Sequence, residues 1–173
     1  MDVHENVRLT AHSRAELVRR VVDQGQPRKV VAADSFEGIP LNTTMQGDPV
    51  DGWADRWVAT LDEVKANIAR FGMLDDRIEF CVGYFEQSLA SLQGRRFAVI
   101  RLDSDSHDSV MSSLVQLYPL VSQGGIVIID DWHLPGCRMA VEDYRAKHGI
   151  ADPIQEVGGN AYWAKQQEYG QPG

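Results

Sequence analysis

Hydrophobic residues recur along this chain at two spacings, which alternate from one segment to the next. Spacings of three and four residues predict helices over 15–22, 57–71, 110–121 and 137–144, with a shorter helix at 89–92. Continuous or alternating apolar runs predict strands over 29–34, 77–83, 97–103 and 126–131, and a short pair over 154–157 and 161–164. Glycine or proline follows several of these segments, as at the ends of helices.

The alternation of helices with apolar strands predicts an α/β fold. Strands that are apolar on both faces are typical of a mostly parallel sheet with helices on both sides. The two short strands near the C-terminus predict an antiparallel hairpin at one edge of that sheet. A chain of 173 residues, 43% of them hydrophobic, suits one domain with a continuous core.

Charge and hydropathy argue against two broad classes of function. A net charge of −8 offers no basic surface for nucleic acid, whose phosphates require clustered lysine and arginine. Because no run of about 18 apolar residues occurs, we expect no membrane-spanning helix. The acidic, polar first residues are unlike a signal peptide, which favours the cytoplasm. Cys81 and Cys137 are far apart, so neither a zinc nor a redox motif is expected.

Acidic side chains stand at the ends of three predicted strands. Asp34 ends the first strand, Asp103 ends the third, and Asp130 and Asp131 end the most apolar one. The carboxyl ends of parallel strands meet at one edge of an open sheet, which is where ligands bind. Carboxylates at one edge repel each other unless a cation or hydrogen-bond donors balance them. Oxygen ligands select Mg²⁺ or a similar ion, so Asp103, Asp130 and Asp131 predict a metal site.

Simpler roles compete with this interpretation. An aspartate before a helix often caps it or meets the positive end of its dipole, and we expect this of Asp105 and Asp108. Asp34 stands where a Rossmann-like fold places an acid that binds two ribose hydroxyls. An aspartate followed by a serine also commonly caps a turn, and the residues alone leave both roles open.

Short motifs occur in one order along the chain: D-S-F-E-G-I-P from residue 34, R-L-D-S-D from residue 101, L-Y-P from residue 117, G-G and I-D-D-W within 124–132, and A-Y-W from residue 161. Together they resemble the macrocin O-methyltransferase-like (TylF-type) family, whose members methylate sugar hydroxyls of macrolide and aminocoumarin antibiotics. The resemblance runs from about residue 14 to about residue 165. It implies a Rossmann-like class I methyltransferase sheet that uses S-adenosylmethionine.

The resemblance also implies roles for particular residues. Asp103, Asp130 and Asp131 would bind Mg²⁺, and the ion would chelate neighbouring hydroxyls of a small glycoside substrate. Asp103 would also serve as the general base. The residues implied at the S-adenosylmethionine site are Asp34, Ser35, Phe85, Asp103 and Ser104.

The implied reaction is chemically sensible. A sugar hydroxyl is a weak nucleophile, so a divalent ion that lowers its pKa and a carboxylate that accepts its proton both help. Orientation of the oxygen in line with the methyl group supplies much of the rest.

The motif Gly83-Tyr84-Phe85 would stack near adenine or pack in the core, and the core is the more ordinary place for an aromatic residue. His133 is a second candidate base, although an ordinary loop histidine explains it more simply.

The N-terminal segment departs from the family pattern. The resemblance implies a first strand and a glycine-rich loop, in which glycine lets the backbone approach the cofactor. No glycine precedes Gly25 in this chain, and only Glu5, Val7 and Arg8 weakly match that loop. We therefore divide the chain into an atypical segment (1–13), a methyltransferase domain (14–165) and a tail (166–173).

This departure has consequences for the sheet and for function. A sheet that lacks its usual first strand would leave the strands around Val30 and Val99 to pair directly or to stay apart, unless residues 3–9 take that place. An unpaired apolar edge invites another chain, which is compatible with a homo-oligomer. The alternatives to an active enzyme are a non-catalytic binding or dimerisation partner and, with less support, a metal-dependent hydrolase.

Overall fold

The computed structural model describes residues 29–39 and 58–166. The predicted helix over 15–22 lies outside these ranges, as do the segment 1–13, residues 3–9 and nearly all of the predicted tail. Within the described ranges every predicted helix and strand is present. None of the helices described in 58–166 has the length and hydropathy that crossing a bilayer requires.

The described elements follow one another in the predicted alternation. The strands are β1 (Val30–Asp34), β2 (Ile78–Val82), β3 (Phe97–Leu102), β4 (Val121–Ile129), β5 (Gln155–Val157) and β6 (Asn160–Ala164). The helices are α1 (Leu61–Arg70), α2 (Phe85–Ser88), α3 (His107–Leu117) and α4 (Pro135–His148). Single 3-10 turns follow α2 (Leu89–Leu92) and α3 (Tyr118–Leu120).

The described strands form two sheets. β1 and β2 pair in parallel, with Asp34 opposite Val82. The second sheet has the order β3-β4-β6-β5, in which β3 and β4 are parallel while β6 is antiparallel to both β4 and β5. The predicted C-terminal hairpin at a sheet edge is therefore confirmed. The strands around Val30 and Val99 do not pair with each other, which excludes direct pairing, and residues 3–9, the alternative occupant of that place, lie outside the described residues.

Helices α3 and α4 cover one face of the second sheet. Leu114 of α3 and Val141 of α4 are completely buried and pack in one cluster with Val127 and Ile129 of β4. From Gly125 to Ile129, buried and half-buried positions alternate, as expected of a strand with one well-covered face. The sequence predicted helices on both faces of the sheet. Among the described residues, helices cover one face of this second sheet.

The first sheet is covered much less. Helix α1 has a complete capping box between Thr60 and Glu63, yet none of its ten residues, all of which are described, is buried. A small group of side chains, which we call the joining cluster, connects this sheet to the second one. Its buried members are Cys81, Leu89, Leu92 and Leu120, with Val31, Ala33, Phe85, Phe97 and Leu117 packed against them.

One predicted boundary is wrong. The periodicity predicts that the third long helix continues to Val121 and stops at the glycine pair 124–125, but α3 ends earlier. The 3-10 turn Tyr118–Leu120 begins there, and Pro119 within it lacks the N–H that would continue the helix. Val121 already belongs to β4, which contains both glycines. A Cβ on Gly125 would lie 3.0 Å from the carbonyl oxygen of Ala98, so glycine permits the close approach of β3.

Candidate functional site

The ends of β3 and β4 bring three aspartates together. The two strands run in register with Leu102 opposite Ile129, and the ladder extends through a hydrogen bond from Asp130 N to Leu102 O (2.9 Å). Asp103 and Asp130 therefore follow paired residues on adjacent strands, and Asp131 comes next in the turn. One carboxylate oxygen from each of these three aspartates lies within 4.8 Å of the others. We call this group the acidic cluster.

Arg101 contacts two members of the acidic cluster. Its Nη2 atom lies 2.9 Å from Asp103 Oδ2 and 2.6 Å from Asp130 Oδ2. Its Nε atom donates to Asp130 Oδ1 at 3.3 Å. Although burial acts in the opposite direction, the two carboxylates raise the pKa of Arg101 above its ordinary value. About half of the Arg101 side chain (53%) is exposed, so both ion pairs border solvent.

Asp131 differs from the other two aspartates. Its Oδ2 atom is buried and has no hydrogen-bond partner among the described residues. Burial, followed by the nearby carboxylates of Asp105, Asp103 and Asp130, raises the pKa of Asp131 to about 6, while a hydrogen bond with the Asp105 backbone lowers it. A proton or a cation would satisfy such a buried, unpartnered oxygen.

The donor set of the acidic cluster fits a hard divalent cation. Carboxylate oxygens are the ligands that Mg²⁺ prefers, and the ion commonly keeps several waters beside one or two carboxylates. The unpartnered Oδ2 atom of Asp131 is a further ligand atom that no described donor occupies. The residues present therefore fit an ion of the Mg²⁺ type, although Arg101 already balances part of the same negative charge.

A cleft opens at the carboxyl ends of β1 and β3. Its described lining comes from the end of β1 and the turn after it, from the start of α2, from the segment between β3 and α3, and from the first turn of α3. That lining includes the residues implied at the cofactor site, which are Asp34, Ser35, Phe85, Asp103 and Ser104. Among the described residues, Asp103 alone belongs both to the cleft lining and to the acidic cluster.

The turn after β1 explains what Asp34 and Ser35 do locally. Asp34 Oδ1 accepts a hydrogen bond from Phe36 N at 2.6 Å. Ser35 Oγ accepts from Glu37 N (3.1 Å) and donates to Gly38 O (3.0 Å). Phe36 has a positive φ of 58°, which is uncommon for a residue other than glycine. The turn-capping role of Asp34 is therefore confirmed for one of its oxygens, and both residues still line the cleft.

The segment between β3 and α3 contains a buried hydroxyl. Ser104 Oγ has no hydrogen-bond partner among the described residues. Ser106 caps α3 by accepting from Ser109 N at 3.2 Å, and Asp108 lies in the first turn of the helix, as expected. Asp105 directly precedes the cap, has a φ of 56° and lines the cleft, so the helix-end role expected of it stays a prediction.

The sequence pattern predicted no separate role for Arg101, although its spacing from Asp103 indicated that the two side chains lie close together. Residues two apart in extended chain point to the same side, so Asp103, the residue after β3, could be expected on the same side as Arg101. Tyr84 and Phe85 both line the cleft, and Phe85 also packs against the joining cluster, so the core role is confirmed in part. His133 is exposed and is not among the described residues that line the cleft.

The fold is that of a class I O-methyltransferase. The solved structure of the O-methyltransferase NovP superposes with a TM-score of 0.78 at 33% identity, covering 87% of this chain and 64% of that chain. A calicheamicin methyltransferase has a TM-score of 0.62 at 22% identity and shows the same fold. The family model of the macrocin O-methyltransferase (TylF) family matches residues 17–166. This chain therefore belongs to that family.

Curated relatives extend beyond this chain. The 8-demethyl-8-(2,3-dimethoxy-alpha-L-rhamnosyl)-tetracenomycin-C 4'-O-methyltransferase of Streptomyces olivaceus is 41% identical over 145 residues, which are 79% of this chain and 54% of the relative. The mycinamicin III 3''-O-methyltransferase of Micromonospora griseorubida is 38% identical over 147 residues, which are 80% of this chain and 58% of the relative. The chain thus spans just over half the length of these relatives.

Proposed function

We propose that this chain takes part in transferring a methyl group from S-adenosylmethionine to a sugar hydroxyl of a glycosylated natural product, with a divalent ion of the Mg²⁺ type. The observation that carries the proposal is the position of Asp103, which belongs to both the cleft and the acidic cluster. The relatives support it, because their names specify O-methylation of tetracenomycin and mycinamicin compounds.

The described cleft residues offer suitable contacts for the cofactor. The turn uses Oδ1 of Asp34, and we assign Oδ2 to a ribose hydroxyl. Ser104 Oγ is buried without a described partner, so it is free to bond the cofactor. Tyr84 and Phe85 contribute aromatic surface to the same cleft, which suits a flat, apolar ring.

The acidic cluster then orients the acceptor and removes its proton. When bound, the cofactor supplies an electrophilic methyl group and the divalent ion lowers the pKa of the attacking hydroxyl. Asp103 accepts the hydroxyl proton, because it stands at the boundary between the cleft and the cluster. Asp130 and Asp131 complete the set of metal ligands, and the ladder between β3 and β4 holds their positions.

A titration of S-adenosylmethionine into the purified chain tests the cofactor part. We expect binding in the micromolar range, and Asp34→Ala should weaken it by about 10- to 100-fold through the loss of a charged hydrogen-bond acceptor. The matched control is Asp76→Asn, at an exposed aspartate outside the cleft lining, which should leave the affinity unchanged. Absence of binding at millimolar cofactor would remove the enzymatic proposal for this chain.

A second titration, with Mg²⁺, tests the metal part. Asp130→Asn removes a cluster carboxylate that does not line the described cleft, so it should weaken metal binding and spare cofactor binding. If cofactor binding collapses while metal binding persists, the assignment of roles is wrong.

The second candidate function is a non-catalytic binding or dimerisation partner. The separation of β1 from β3 favours it, because no described strand joins the two walls of the cleft. Such a partner would bind no S-adenosylmethionine and would form a dimer in sedimentation measurements. A monomer that binds the cofactor would exclude this candidate.

A further inference from the structure

We propose that Arg101 is the resident counter-ion of the acidic cluster, and that a divalent ion binds Asp103 and Asp130 by displacing its guanidinium group. This inference rests on the proposed metal site and adds a residue that sets which ions can enter it. Arg101 would then act as a specificity-determining residue, separate from the three aspartates that bind the ion.

The geometry of the ion pairs carries the inference. A single nitrogen, Nη2 of Arg101, lies 2.9 Å from Asp103 Oδ2 and 2.6 Å from Asp130 Oδ2. A Mg²⁺ ion bound to the same two oxygens would lie about 2.0–2.1 Å from each. It would therefore occupy the space that the nitrogen now holds, and two positive groups so close together would repel each other strongly.

The way in which Arg101 is held makes the exchange easy. Its backbone pairs with Ile128 in the ladder between β3 and β4, so this part of the residue is fixed. The side chain is 53% exposed, and ion pairs that border solvent are weak because water competes for both partners. Displacement therefore requires a rotation of the side chain and no movement of the strand.

Asp131 is the carboxylate that distinguishes a divalent ion from the Arg101 guanidinium at this cluster. No described ion pair or hydrogen bond connects it to Arg101, and its buried Oδ2 has no partner among the described residues. A metal ion at the cluster would reach this third carboxylate, which the guanidinium leaves unbalanced. A monovalent ion brings no more charge than the guanidinium it replaces, so the exchange should favour divalent over monovalent ions.

Metal titration of Arg101→Gln tests the inference through binding, without any activity measurement. Glutamine removes the charge while keeping a polar side chain, so Mg²⁺ should bind about 3- to 10-fold more tightly than to the unaltered protein. Arg101→Lys keeps the charge and should bind nearly as the unaltered protein does. The matched control is Arg95→Gln, because Arg95 is also a half-exposed arginine paired with a carboxylate, that of Glu79, outside the cluster. It lowers the net charge equally and should leave the affinity unchanged.

Whether Arg101→Gln binds Mg²⁺ more tightly or more weakly than the unaltered protein distinguishes two roles for Arg101. If the arginine holds the carboxylates in place for the ion, Arg101→Gln will weaken Mg²⁺ binding, and displacement is then wrong. An unchanged affinity contradicts it as well. If no protein, altered or unaltered, binds Mg²⁺, the proposed metal site fails and this inference fails with it.

A measurement on the unaltered protein gives an independent answer. The Arg101 Nε–H group donates to Asp130, so its NMR signal, identified by its loss in Arg101→Gln, reports the ion pair directly. Addition of Mg²⁺ should move this signal towards that of a free arginine and speed its exchange with water. A signal that stays in place while the protein binds Mg²⁺ would contradict displacement and leave the metal site intact.

Discussion

The sheet β3-β4-β6-β5 and the sheet β1-β2 both contain apolar strands but bury them to different extents. In the first, Val127 and Ile129 are completely buried beneath α3 and α4. In the second, Val30 is 60% exposed, and Cys81 is the single buried residue of the two described strands. An apolar strand offers surface for burial, but the helices packed on it determine how much is buried.

The candidate site is divided between these two regions. The acidic cluster lies entirely at the ends of β3 and β4, where a well-packed core holds both strands. The cleft also requires β1, which reaches the second sheet through the joining cluster. We therefore expect metal binding and cofactor binding to respond differently when either region is perturbed.

Two leucines provide the largest expected contrast. Leu114 is completely buried, whereas Leu74 is 41% exposed. Leu114→Ala should lower the free energy of unfolding by roughly 3–5 kcal/mol, because it removes buried surface and leaves a cavity. Leu74→Ala should change it by less than about 0.5 kcal/mol. Urea unfolding of the two variants measures both values, and equal losses would contradict the contrast between the regions.

The joining cluster offers a way to uncouple the two regions. Leu89 is 1% exposed, and Leu89→Ala should cost roughly 2–4 kcal/mol. Because β1 and β2 depend on this cluster, their amide protons should exchange faster in the variant while those of β4 stay protected. Hydrogen exchange followed strand by strand is the measurement, and uniform acceleration would show that both sheets open as one unit.

A pair of glycines compares a crowded site with an open one. A Cβ on Gly125 would meet Val121 Cγ1 at 2.7 Å and two carbonyl oxygens, so Gly125→Ala should destabilise the protein by about 1–3 kcal/mol. Gly72 has a φ of 65° but open space around it, and Gly72→Ala should cost about 1 kcal/mol from backbone strain alone. Thermal unfolding of both variants decides whether crowding outweighs strain.

The smallest predicted effect depends on pH and on the acidic cluster. The folded state raises the pKa of Asp131 from 3.8 to about 6, so the folded protein binds this proton more tightly than the unfolded chain does. The stability that this group contributes is present at acid pH and is lost as the pH rises through that interval.

Asp131→Asn should therefore stabilise the metal-free protein at neutral pH. After a discount for partial exposure, we expect about 1 kcal/mol, or roughly 2–4 °C in Tm, near pH 7.5 and little change near pH 4. Thermal melts with a chelator at both values measure it. A lower Tm for the variant at neutral pH would mean that the ionised carboxylate stabilises the fold.

Much of the fold followed from local patterns, and the exceptions have identifiable causes. Strand β3 and helix α4 were predicted because their apolar spacing is local information. The start of β4 at Val121 was missed, because a helical spacing continues across Pro119 and the need for glycine at 125 arises from contact with another strand.

The residues of the candidate site divide in the same way, into those that local sequence predicted and those that depended on the tertiary structure. Asp103, Asp130 and Asp131 stood out because acids directly after apolar strands are unusual. The cap at Ser106 and the place of Asp105 in the cleft depended on where α3 begins, which periodicity defines only to within a few residues.

By itself, the sequence determined the order of helices and strands and which acids follow which strands, because these features depend on neighbouring residues. The tertiary structure alone decided that β1 and β3 stay apart, that Arg101 bridges Asp103 and Asp130, and that burial raises the pKa of Asp131. Register, ion pairing and burial depend on distances between residues far apart in the chain, which hydrophobic periodicity does not specify.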